Sequence, residues 1–158
     1  MNYDVNSLVL WLINILIILP IATLIHEFGH GFFAKIFGST ISHIDIGSGK
    51  ILFKIHKLNI RKYYFFFGYI ELESVVKKDR VLAESLFLLG GIIFNVLSIL
   101  FVYTISCIWH LNSYFLGNFN YTSSLLAIFA AIPITYPNGM ESDGKQFFNL
   151  LFSKKDAK

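Results

Sequence analysis

Charge is scarce in this sequence. Of 158 residues only 15% are Asp, Glu, Lys or Arg, where a soluble globular domain carries about 25%. The hydrophobic share is 55% and the mean hydropathy +0.62, which leaves too little polar surface to wrap a water-soluble core and excludes a disordered chain. Cysteine is almost missing too. Cys107 stands alone in an apolar run, so no intrachain disulfide framework exists and the redox compartment stays unmarked. The net charge of +3 fits a bias of loops toward the cytoplasm better than a nucleic-acid surface. The expected partner is therefore the lipid bilayer, with no nucleic acid. No internal repeat or low-complexity linker divides the chain, so a single membrane-embedded domain is expected over residues 1–158.

Two stretches lack charge altogether. Val5 to Ile25 has none, and a helix needs about 20 such residues to cross the hydrocarbon core. A cleaved signal peptide is the alternative, but Asp4 precedes the run without any Lys or Arg, and the run is long for an h-region. From Ser85 to Met140 no formal charge appears either, and the polar, aromatic-flanked segment 110–120 divides that stretch in two. The sequence thus predicts three transmembrane helices, over about 5–30, 85–109 and 121–137, with Trp109, Tyr114 and Tyr121 at the interface.

Between the first two spans the pattern changes to alternation. Ile41, Ile44, Ile46, Ile51, Phe53, Ile55, Leu58 and Ile60 mostly alternate with polar residues, and 63–70 is rich in aromatics. A small membrane-associated β region is expected over about 41–72, with Gly47-Ser48-Gly49 as its turn; an unpaired interfacial loop is the alternative. All 13 Lys and Arg fall either between the first and second spans, with nine counted there from Lys35 to Arg80, or after the third span, four of them. That places the N-terminus outside and the C-terminus in the cytoplasm, in a multi-pass protein of the cell membrane.

The ionisable residues at the end of the first span form His26-Glu27-Phe28-Gly29-His30. Positions i and i+4 share a helix face, so both imidazoles can meet one Zn²⁺ while Glu27 reaches a water beside it as general base. Random placement of five His and five Glu would yield roughly 0.005 such matches. Histidines that only cap or hydrogen-bond at the interface are the plain alternative. A catalytic zinc wants a third protein ligand, and Asp143, at the cytoplasmic end of the third span, fits, with Pro133 and Pro137 breaking that helix. Glu141, His43 and His56 compete on chemistry, and the nearby Asn138-Gly139 is weighed against Asp143-Gly144. The neutral amide of Asn138 is a poor zinc ligand, so Asp143 is preferred.

These residues resemble the site-2 proteases, intramembrane zinc metalloproteases with a core of three transmembrane helices. His26 to His30 looks like the family's HExxH. Gly68-Tyr69-Ile70 resembles the Gly-Tyr-Val that ends its β region, and Gly90-Gly91-Ile92-Ile93-Phe94-Asn95 resembles its Gly-Pro-x-x-Asn segment, with Ile92 where proline is common. In the third motif Ala130 stands for an asparagine, Pro133 matches, and Asp143-Gly144 comes five residues late. The resemblance implies zinc as cofactor, a membrane protein or peptide as substrate, cleavage of peptide bonds, and a role for Asn95 in binding substrate or the reaction's oxyanion. From the residues alone, Asn95 reads as a polar link between helices, with Gly90 and Gly91 allowing close packing. The competing reading is a metal-binding membrane protein without turnover, such as an immunity factor, scaffold or transporter part.

Overall fold

The computed structural model describes residues 5–74, 80–111, 113–137 and 139–152; Asn138, Lys77, Lys78, Lys154, Lys155 and Lys158 lie outside them. The chain opens with α1 (Val5–Ile13), a π-helical turn (Asn14–Ile18) and α2 (Leu19–Ile36), which run on as one helix. Pro20 explains the widened turn: it gives no N–H to the preceding turn and its ring crowds the carbonyl there, which a π-turn just upstream relieves. Next come β1 (Thr40–Ile55), β2 (Leu58–Ser74), α3 (Arg80–Ile108), α4 (Tyr114–Ala131) and α5 (Asp143–Phe152).

Ser7–Ile36 and Val81–Ile108 are long and apolar enough to cross a bilayer. Their packing is inverted relative to a water-soluble bundle. The buried face of α2 is small or polar, with Ala22, Thr23, His26, Glu27, Gly29, His30, Gly31 and Ala34, while Phe28 and Phe32 are half exposed. Large apolar side chains on the outside and small or polar ones inside are what lipid as solvent demands.

The expected boundaries need three corrections. The first helix continues six residues beyond His30, about 9 Å, so the motif lies within it and not at its end. The third helix spans Tyr114–Ala131 instead of 121–137. Asn118 donates to the Tyr114 carbonyl at 3.0 Å and Ser124 to that of Asn120 at 2.7 Å, so these polar side chains are satisfied by their own helix and need no loop. At the other end Ile132, which precedes Pro133, is extended (φ −67°, ψ 129°), as steric conflict with the proline ring requires.

The third correction is the turn. Gly47 and Gly49 have φ of 92° and 86° but stay within β1, where a Cβ on Gly47 would overlap the Tyr63 backbone. They bend the strand. The chain reverses at His56 and Lys57, and the long antiparallel hairpin curls back on itself. Ile44, Asp45 and Ile46 are matched with Ile70, Tyr69 and Gly68 on one side and with Leu58, Asn59 and Ile60 on the other. The inner face, Ile41, Ile44, Ile46 and Ile70, packs against Leu24 of α2 and Phe87 of α3, which fixes the sheet beside the His26–His30 turn. Asp45 holds the curl together: Asn59 donates to it at 2.8 Å and Arg61 at 2.6 Å. Burial opposes its charge, but these hydrogen bonds outweigh burial and keep the carboxyl below its usual range.

Candidate metal centre

α2 and α3 cross where Gly29 meets Gly90. A Cβ on either glycine would run into the other's backbone, so only glycine permits this approach. The crossing sets His26 and His30 against α3. Gly91 leaves space that the His26 ring fills, and Gly68 does the same for the Glu27 carboxylate from β2. His26, Glu27 and His30 are 7%, 5% and 5% exposed.

Asp143 arrives from the other end of the chain. After α4 the backbone makes a short hairpin, with Thr135 bridged to Glu141, the Tyr136 amide donating to the Met140 carbonyl at 2.8 Å, and Gly139 in a left-handed conformation. Ser142 then returns the chain to its start: its hydroxyl donates to the Ile132 carbonyl at 2.7 Å and accepts from the Ile134 and Lys145 amides at 3.1 and 3.2 Å. The last of these bonds caps α5 in the usual N-cap manner. Asp143, its first residue, faces the histidines.

Asp143 Oδ2 lies 3.0 Å from His26 Nε2 and 3.4 Å from His30 Nε2. The three donor atoms fall within 4.8 Å of one another, the only such group among the described residues. Donor chemistry tests whether a cation fits. His30 Nδ1 sits 2.6 Å from the Phe87 carbonyl and so must carry a proton there, and in the neutral imidazole this puts the lone pair at Nε2. That lone pair faces a carboxylate oxygen. Two acceptors at this distance require a proton or a cation between them, and two imidazoles with one carboxylate are a zinc donor set. With protons in those gaps and no cation, burial alone would raise the Asp143 carboxyl, but hydrogen bonds from His26 and His30 hold it down to about 2.

The surrounding cleft has a volume of about 540 Å³ and is lined by His26, Glu27, His30 and Asp143 on one side and by residues of β2, including Phe67, Gly68 and Tyr69, on another. Phe67 and Tyr136 face each other with ring centroids 6.2 Å apart. Tyr136, which the sequence did not single out, lines the cleft; burial first and the Asp143 charge second push its phenol up, so it stays a hydrogen-bond donor.

The other candidates stand outside the donor group, although Glu141 also lines the cleft. Glu141 pairs with Lys145 at 3.3 Å and accepts from Asn149 at 3.1 Å. His43 contacts Asp45 and Glu71 in the sheet, and His56 is exposed at its turn. Asn95 has no exposed surface and is absent from the cleft wall; its amide stands behind His26, 3.2 Å from Nδ1. The expected contact with substrate does not match that position. Sequence reasoning also passed over Ser142 and the Phe87 carbonyl. A serine directly before an acidic helix start is a readable cap, whereas a backbone carbonyl carries no sequence signature.

Over 151 residues the chain is 33% identical to the uncharacterized membrane protein YwmF of Bacillus subtilis (strain 168), covering 94% of this chain and 93% of that protein. Residues 14–153 match the profile of Peptidase family M50. The chain therefore belongs to peptidase family M50, the site-2 protease family of membrane zinc metalloproteases.

Proposed function

We propose that this chain is a zinc-dependent endopeptidase that cuts peptide bonds of membrane-embedded or membrane-adjacent proteins. The observation that carries the reading is the meeting of Glu27 with His26, His30 and Asp143 in one cleft whose other wall is a strand. His26, His30 and Asp143 would hold zinc, which would supply Lewis acidity at the scissile carbonyl and acidify the attacking water. Glu27 takes the proton from that water and returns it to the leaving amine. Tyr136, whose hydroxyl reaches the Phe129 carbonyl only at a long 3.4 Å, turns to donate a hydrogen bond to the oxyanion as charge develops.

Residues 68–70 are matched with β1 on one side, so an extended substrate can add as a further strand along the other. An apolar cavity of about 430 Å³ shares Leu72, Phe87, Leu88 and Gln146 with the cleft and gives room for a bulky apolar side chain of the substrate. The chain acts as a single domain in the cell membrane, with α4 as its third span, the N-terminus outside and the C-terminus cytoplasmic, in accord with the one-sided Lys and Arg.

The test is Glu27→Gln. Purified in detergent, the variant should keep about one zinc per chain. Membrane proteomes of cells carrying it should lack new peptide termini that appear with the wild type. Termini that appear equally with both proteins would refute proteolysis by this mechanism.

A further inference from the structure

Zinc held through Nε2 of His26 dictates which atom carries the proton of that ring. A neutral imidazole has one N–H, so a lone pair at Nε2 puts the hydrogen on Nδ1. The polar side chain recorded at Nδ1 is Asn95, on α3, with its amino nitrogen 3.2 Å away. In that orientation the amide would donate to Nδ1, force the proton onto Nε2, and close the ring to metal. It also leaves the buried Asn95 Oδ1 without a partner.

Turning the amide by half a rotation exchanges two nearly isosteric ends. Oδ1 then accepts from His26 Nδ1–H, and Nε2 is free. The turn moves the unmet hydrogen bonding to the amino group, so the metal, not the number of satisfied atoms, decides the orientation. On the other ring the Phe87 carbonyl already plays this part for His30. From this geometry we infer that Asn95 is a positioning residue, whose amide oxygen fixes the tautomer and angle of His26 and so prepares Nε2 to bind zinc. The inference rests on the metal centre proposed above. Complete burial of Asn95 suits it, because a group that orients a ligand from behind needs no access to substrate.

Zinc affinity of the full chain in detergent, read by competition with a chromophoric chelator, tests this without any substrate. Asn95→Leu is close in shape and accepts nothing, and it should weaken zinc about 10–100-fold. Asn95→Asp can only accept when ionised, and it should match or exceed the wild type. A purely structural asparagine would not be rescued by a buried carboxylate. Wild-type affinity in Asn95→Leu, or an equal loss in both variants, overturns the role of Asn95 while leaving the metal centre standing. Failure of the wild type to bind zinc overturns the centre itself and this inference with it. Nitrogen-15 spectra of the zinc-loaded wild type give an answer independent of variant folding. The His26 proton should sit on Nδ1, and a proton on Nε2 overturns the assignment.

Discussion

Replacing Asp143 by alanine removes the one anionic donor and leaves two neutral imidazoles to hold a dication in a site shielded from water. Zinc affinity should then fall by more than the roughly 10–100-fold that outer-shell changes cost. Glu141→Ala and Asn138→Ala should retain most of the metal, since Glu141 is engaged by Lys145 and Asn149 and an amide binds zinc poorly. Bound zinc measured in the three variants decides the matter, and full occupancy in Asp143→Ala would overturn the ligand assignment. At this scale much of the centre was legible. Two histidines four apart share a helix face whatever the tertiary structure, and the argument from span ends led to Asp143. Asn95 was legible as a residue but not as a role, because whether an amide faces the cleft or the back of a ring depends on how α3 is rotated about its axis. Pairwise spacing along one helix holds no information about that rotation.

Among the elements, the hairpin shows where pattern reading stops. Alternation found the β region within a few residues, yet the turn was assigned to Gly47-Ser48-Gly49 because glycine-rich triplets usually reverse a chain. Here the glycines bend a strand that continues to Ile55, and only the Asp45, Asn59 and Arg61 cluster reveals why the bend persists. Asp45 is held below its unfolded value of about 3.9. Its contribution is therefore complete above about pH 4 and is lost as pH falls through the lower folded value. Limited proteolysis in the hairpin should accelerate below that point. Asp45→Asn should show comparable sensitivity at neutral pH, having lost charge-assisted bonds worth about 2 kcal/mol. A hairpin equally resistant in the variant and at acid pH would remove the cluster's structural role.

For the molecule as a whole, orientation is the property most open to test. Reporters fused after Lys158 and within 111–118 should read cytoplasm and exterior respectively, as the Lys and Arg distribution requires. The reverse pattern would put the cleft on the opposite side of the membrane, and matching signals from both fusions would exclude α4 as a span. Depth along the normal was less legible than order along the chain, since the polar segment 110–120 looks like a loop until the bond of Asn118 to its own helix is seen.

The distance in sequence between the donors has a temporal meaning. His26 and His30 leave the ribosome early, while Asp143 follows His26 by 117 positions. During synthesis the first helix can enter the bilayer and the hairpin can curl long before the third donor exists, so the nascent protein passes through insertion with an incomplete set. The three side chains can meet only after Ser142 has drawn α5 back to the end of α4.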